Sequence, residues 1–363
     1  MRHLLLLGGG HAHVEVLRQL GAAPLPGWQV TLLTREVMSP YSGMLPGVLA
    51  GLYRPEQALI DLPALAARCG VALLVDRATG VDPVARRVRR ADGNDLPWDL
   101  LSIDTGATPD TSRVPGAAEH ALPLKPIDAL LPRMADIIAG ARPGQPIAVV
   151  GAGAAGTEIA LALALRLRAA VTLVAGRSGL LPGFPARMRR LVARALAQRG
   201  VALREGQDAV RISQGQVHFA EAGSLAADPV IWAAGAAAAP WLTETGLHRD
   251  ARGFLRVDDC LRAAGHPDIF AAGDVASFGQ GLPKAGVFAV RQGPVLAGNL
   301  RAVAEGRAPA LFRPQGDYLR LLSLGDGKAI GTRNGFTVRG RWVWWLKDTI
   351  DRRFMARYQG AAA

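Results

Sequence analysis

Leu4-Leu-Leu-Leu-Gly8-Gly-Gly10-His-Ala-His13-Val-Glu15 stands almost at the start of the chain, and Ile147-Ala-Val-Val-Gly151-Ala-Gly153-Ala-Ala-Gly156-Thr-Glu158 follows the same logic near its middle. Each is a short apolar run that reads as a buried parallel strand, then a glycine-rich turn, then a helical pattern. Glycine permits the tight turn and lets backbone N–H groups approach a diphosphate, while the helix N-terminus adds partial positive charge. One such turn is weak evidence, because any close strand–helix junction can require glycine. Two in one chain point to an α/β protein that juxtaposes two dinucleotides, an arrangement suited to passing electrons between them.

Outward from the first turn, residues 4–7 predict a strand, 14–20 a helix and 29–33 a second strand. Residues 55–67 predict a helix with a restart at Asp61 and Pro63, and 71–75 a strand. Alternation over 78–103 predicts a β-meander that ends in a buried strand at 100–103, before Thr105-Gly106. The proline-rich stretch 123–132 leads into the second unit. Its strands are expected at 147–150, 171–174, 201–204 and 230–233, with a basic helix over 185–199 and a hairpin after the third strand. Ile269-Phe-Ala-Ala-Gly273-Asp274 forms a third signature.

With 363 residues, half of them apolar and 43 glycines, the chain can bury one large core or two to three lobes. The net charge of +12 comes almost wholly from arginine, since Lys125, Lys284, Lys328 and Lys347 are the only lysines. These charges are scattered rather than clustered, which argues for a generally basic surface and against a nucleic-acid partner. Cys69 and Cys260 are far apart and form no C-x-x-C pair, so neither a dithiol redox centre nor a cysteine metal site is expected. No secretory signal precedes the first turn, and the most apolar window, 147–165, is broken by glycines and Glu158. A cytoplasmic location is expected, free or peripheral on the cytosolic face of a membrane.

The two glycine turns, Thr105-Gly106 and Ala271-Ala-Gly273-Asp274 together resemble the two-dinucleotide-binding flavoproteins of the pyridine nucleotide-disulfide oxidoreductase superfamily. Gly8–Glu15, Pro40-Tyr-Ser-Gly-Met-Leu-Pro46 and Leu282-Pro-Lys284-Ala-Gly-Val-Phe-Ala-Val-Arg291 narrow the likeness. They look like a flavoprotein domain sometimes fused to selenide, water dikinase, allied to type II NADH dehydrogenases and sulfide:quinone reductases. The resemblance implies two Rossmann-like domains. An FAD domain would comprise residues 1–118 and 240–310, an inserted NAD(P)H domain 119–239, and a small C-terminal α+β segment 311–363. It implies FAD contacts at Gly8, Gly10, Glu36, Ala78, Thr105, Gly106, Gly273 and Asp274. NAD(P)H contacts are implied at Gly151, Gly153, Gly156, Arg177 and Gly235. His11 stands where side chains of these proteins approach the flavin or its phosphates, or it is a helix-start histidine without chemistry. Lys284 resembles a lysine near the flavin pyrimidine ring, where a fixed cation would stabilise charge on reduced flavin; otherwise it is a surface lysine.

Several departures from the pattern bear on function. His13 replaces the third glycine of the first turn, so strand and helix are expected to separate there. Thr34 closes the second strand where an acid normally holds the ribose, leaving Glu36 as its substitute. In the second unit no acid follows residues 171–174; Arg177 could pair with a 2′-phosphate instead, which favours NADPH over NADH. The positions matching two quinone-site glutamines carry Val287 and Arg291, which weakens but does not remove a quinone acceptor. An FAD-dependent NAD(P)H oxidoreductase without a dithiol is the resulting expectation, with a quinone or other small acceptor. A flavin-bound accessory or sensing module, or a ferredoxin-type reductase, is the rival.

The tail, Arg341-Trp-Val-Trp-Trp-Leu-Lys-Asp-Thr-Ile-Asp-Arg-Arg-Phe-Met-Ala-Arg-Tyr358, predicts a helix whose apolar stripe is Val343, Leu346, Ile350 and Phe354. Aromatic and basic residues around that stripe fit a membrane surface. Packing on the flavin domain and a homodimer contact fit it as well.

Overall fold

The computed structural model describes residues 1–221, 223–279 and 281–360, so the last three residues of the C-terminal segment lie outside the described residues. In the first unit, strand β1 (Arg2–Leu7) leads into helix α1 (His11–Ala22), then β2 (Trp28–Thr34), α2 (Leu62–Arg68), β3 (Ala72–Val75) and β4 (Leu100–Ile103). The second unit runs through β5 (Leu122–Pro123), α3 (Ile127–Gly140), β6 (Pro146–Val150), α4 (Ala154–Leu167), β7 (Ala170–Gly176), α5 (Ala186–Gln198), β8 (Ala202–Glu205) and β9 (Val230–Trp232). The chain then returns as β10 (Ile269–Ala271) and α6 (Gly286–Ala304). It closes with β11 (Arg320–Ser323), β12 (Ala329–Arg333), β13 (Phe336–Gly340) and α7 (Arg341–Ala356).

Two five-stranded parallel sheets result, ordered β10-β4-β1-β2-β3 and β5-β9-β6-β7-β8. Residues 4–7, 100–103, 147–150 and 230–232 are buried throughout, which is why these segments read as nearly unbroken apolar runs. Because every strand is parallel, the residues that follow the strands of a sheet gather along its carboxyl edge. The 78–97 meander is a separate three-stranded antiparallel sheet, and β11, β12 and β13 form another.

Three expectations are corrected. Residues 55–67 are not one helix: a short 3-10 turn (Pro55–Ala58) and a strand (Leu59–Asp61) precede α2. The Asp61 carboxylate caps α2 by accepting the Ala64 N–H at 2.8 Å. The stretch 123–132 is only in part a lead-in, since Pro132 lies inside α3; packing of Ile127, Leu130 and Met134 into the second core outweighs the backbone bond that a proline removes. The buried face of α7 is also rotated from the expected stripe. It presents Val343, Lys347, Asp351 and Phe354 inward, with Tyr358 buried just beyond its end, and Ile350 faces solvent. An ion pair, Lys347 Nζ to Asp351 Oδ2 at 2.6 Å, lets two charges occupy that face.

Candidate functional site

Gly8 and Gly151 turn their strands into α1 and α4 with φ of 91° and 110°, backbone that glycine alone adopts easily. A side chain on either would strike the neighbouring strand end, Asp104 beside Gly8 and Ala233 beside Gly151. The two turns therefore superimpose in logic, with Asp104-Thr105-Gly106 in one matching Ala233-Ala234-Gly235 in the other. They differ at the third-glycine position. A Cβ on Gly156 would lie 1.9 Å from the Gly151 carbonyl. At the matching position, His13 places an entire imidazole between helix and sheet. Its Nδ1 lies 2.6 Å from the Gly8 carbonyl and its Nε2 2.8 Å from the Ser102 hydroxyl. The ring is neutral, donating to the carbonyl and accepting from the hydroxyl; burial holds its pKa down at about 4.

Along the carboxyl edge of the first sheet stand Gly8 and Gly10 after β1, Glu36 after β2, Ala78 beyond β3, Thr105 and Gly106 after β4, and Gly273 and Asp274 after β10. These positions follow the strand ends of this sheet, except that Ala78 opens the separate 78–97 sheet. Arg35 pairs with Glu36 at 2.6 Å, while burial and then Asp128 of α3 raise the Glu36 carboxyl above its ordinary range. Asp274 accepts from Lys125 Nζ at 2.6 Å. Lys125 follows β5, so this one contact joins the carboxyl edges of both sheets. His11 is walled by Tyr41 and Phe354, with ring centroids at 5.5 and 5.9 Å. Burial and the nearby Lys125 lower its pKa to about 4, and its Nε2 is buried without a hydrogen-bond partner among the described residues.

Lys284 is turned toward protein rather than into open space. Its ammonium donates to the Ala276 carbonyl at 2.5 Å and lies 3.8 Å from the centroid of Phe254. Burial lowers its pKa to about 8, against the attraction of Asp274 and Asp250. In the second unit, Gly151, Gly153 and Gly156 shape the turn after β6, Gly235 follows β9 and Arg177 follows β7. An acid from elsewhere in the chain lies beside Arg177: the Asp208 Oδ1 accepts the Arg177 N–H at 2.9 Å, and Oδ2 is 3.7 Å from Nε.

Both turns fit a diphosphate. The amides of Gly10 and His11, and of Ala154 and Ala155, have no hydrogen-bond partner among the described residues. Space is open where a Cβ would stand on Gly106 and on Gly153. Residues 2–293 match the family described as pyridine nucleotide-disulphide oxidoreductase. The chain belongs to that family. It is an FAD-binding family of pyridine nucleotide oxidoreductases.

Among relatives of this pyridine nucleotide-disulphide oxidoreductase chain, an NADH dehydrogenase-like protein of Mycobacterium tuberculosis is 32% identical over 229 residues. That match covers 57% of this chain and 56% of the relative, so the chain spans little more than half of that protein. A type II NADH:quinone oxidoreductase of Staphylococcus haemolyticus is 24% identical, with 99% of this chain and 96% of the relative covered. The fold is also that of the sulfide:quinone oxidoreductase of Aquifex aeolicus (TM-score 0.83, 17% identity, 99% and 92% covered). The NDH2 of Plasmodium falciparum in complex with NADH is equally similar in fold (TM-score 0.83, 15% identity, 98% and 96% covered). Unlike the family's name, this chain has no disulfide: Cys69 and Cys260 are free thiols, and both are raised in pKa by burial. Among the described residues no group of three His, Cys, Asp or Glu could hold a metal, and no helix is long and apolar enough to cross a membrane.

Sequence reasoning missed four groups here: Asp104, Lys125, Asp208 and the buried pair Lys347–Asp351. Asp104 was legible in principle, as a carboxylate between the buried run 100–103 and the Thr105-Gly106 turn. The others reach the site from distant segments and leave no local signal.

Proposed function

We propose that the chain is an FAD-dependent NAD(P)H oxidoreductase that passes electrons to a quinone or another small acceptor. The observation that carries this reading is the Lys125–Asp274 contact, which sets two glycine-turn sheets with their carboxyl edges toward each other. FAD, when bound, supplies hydride acceptance from nicotinamide and onward delivery of electrons. The residues that would hold it are the amides of Gly10 and His11 for the diphosphate, Glu36 for the adenosine ribose and the backbone near Ala78 for adenine. Thr105, Gly106, Gly273 and Asp274 complete that cradle, in a domain assigned to residues 1–118 and 240–310. Lys284 serves as the cation near the flavin once its ammonium leaves the Ala276 carbonyl.

In the domain 119–239, the turn at Gly151, Gly153 and Gly156 takes the nicotinamide dinucleotide, with Gly235 beside it. Arg177 favours the 2′-phosphate of NADPH, and Asp208 competes for that arginine. The name of the Staphylococcus haemolyticus relative supports a quinone as acceptor. A quinone in turn suits a peripheral position on the cytosolic membrane face. Phe336, Trp342 and Trp345 in the segment 311–363 are 79, 57 and 67% exposed. Arg339, Arg341 and Arg353 flank them, as expected for an interfacial helix; the same face would serve a homodimer.

Anaerobic stopped-flow mixing tests the reading. Either nicotinamide should bleach the visible flavin band, and a quinone should restore it. Yellow protein that neither NADH nor NADPH reduces refutes the dehydrogenase, and reoxidation by ferredoxin but not quinone replaces the acceptor.

A further inference from the structure

Asp104 occupies a place that the second turn leaves to Ala233. Its Oδ2 accepts the N–H groups of Ala12 and His13 at 2.8 and 3.1 Å, so one carboxylate caps the N-terminus of α1 from inside. Its oxygens press on the backbone on either side. A Cβ on Gly10 would lie 2.4 Å from Oδ2, and one on Gly273 2.5 Å from Oδ1. The carboxyl is therefore clamped between the two glycines expected to meet FAD, beside the free amides of Gly10 and His11. The helix N-terminus offers a limited positive potential, and an ionised Asp104 already draws on it. A diphosphate brings further negative charge to the same helix end.

We propose that Asp104 couples FAD retention to a proton: the cofactor is held with this carboxyl neutral, and ionisation of Asp104 weakens its hold. The inference rests on FAD lying at the α1 turn. Burial, which outweighs the two N–H bonds, raises the Asp104 pKa to about 7, with Asp274 adding to the shift. The surrounding groups supply no compensating cation. From α1, His11 and His13 are both lowered to about 4 and stay neutral at that pH. From the turn after β10, Asp274 repels Asp104 and spends its own charge on Lys125. From α6 comes only Gln292, whose Oε1 accepts the Gly273 N–H at 2.7 Å. Farther off, burial lowers the Lys284 pKa to about 8 and raises that of Glu158 of α4 to about 7.

The test is equilibrium release of FAD from diluted holoprotein, read by the rise in free-flavin fluorescence between about pH 6 and about pH 9, with proton release followed by an indicator dye. Above the pKa of Asp104 the dissociation constant should rise toward about tenfold per pH unit, the limit for one linked proton. Asp104→Asn keeps an acceptor for the two amides, and Asp104→Ala leaves them free; both variants should hold FAD with little pH dependence and more tightly than wild type at about pH 8. A wild-type constant that is flat across the range overturns the proposal. So does a pH dependence that persists unchanged in both variants, which would assign the proton to another group, Lys284 or Glu158. Protein that holds no FAD at any pH would instead refute the assignment of the α1 turn.

Discussion

At residue scale the first turn shows how a lost glycine is accommodated. His13 fills the gap that Gly156 closes by direct packing, and it satisfies two buried polar groups, the Gly8 carbonyl and the Ser102 hydroxyl. Restoring the glycine therefore does not help: His13→Gly should destabilise by about 3–5 kcal/mol, through a cavity and unpaired polar atoms, as thermal unfolding would show. The sign of the pH effect follows from the lowered pKa. The fold favours neutral His13, so its contribution is whole above about pH 6.5 and is lost as pH falls toward and through about 4. The stability gap between wild type and His13→Gln should narrow by about 3 kcal/mol over that window. Asp208 makes a second residue-scale prediction. Its pairing with Arg177 is exposed and weak, so Asp208→Asn should free the arginine and raise the NADPH-to-NADH specificity ratio by about tenfold, whereas Arg177→Ala lowers it. Measured kcat/KM for both nucleotides decides this, and an unchanged ratio in both variants refutes a role at the ribose.

The element with most to explain is α7. The helix and Tyr358 just beyond its end bind the first unit through three phenol–carboxylate contacts: Tyr41 with Asp351 at 3.2 Å, Tyr53 with Asp348 at 2.7 Å, and Tyr358 with Glu15 at 2.9 Å. Lys347 adds a bond to the Gly43 carbonyl at 2.7 Å. Removing one charge of the buried pair strands the other, so Lys347→Met should cost about 3–5 kcal/mol, and adding Asp351→Leu should recover most of it. Denaturant unfolding of the double-mutant cycle measures both. The outward face is energetically separate. Trp342→Ala with Trp345→Ala should leave stability within about 0.5 kcal/mol while reducing partition onto anionic vesicles; unchanged partition removes the membrane-surface reading of residues 341–358.

For the whole molecule, the same helix is one tie between units, beside the Lys125–Asp274 contact and the bonds from Arg166 of α4 to the Val48 and Leu49 carbonyls. On one side it holds Tyr41, Tyr53 and Glu15; on the other, Lys347 acts electrostatically on Glu158 of α4, whose carboxylate accepts the Ser323 N–H at 2.7 Å. A chain ending after Gly340 should therefore lose cooperativity, and calorimetry should resolve two transitions where the full chain gives one. The two glycine turns, the strands at 4–7, 100–103 and 147–150 and the Gly273-Asp274 signature were legible because they depend on local rules: apolar runs for parallel strands, glycine for tight turns. The sequence alone determined the α/β class and the order in which the candidate binding residues follow the strands. Only the tertiary structure decided the partner of Asp274, the acid beside Arg177, the carboxyl behind Gly10 and the charged inner face of α7. Each of those depends on side chains brought together from distant segments, and Coulombic and hydrogen-bond pairing at short range leaves no periodicity in the chain.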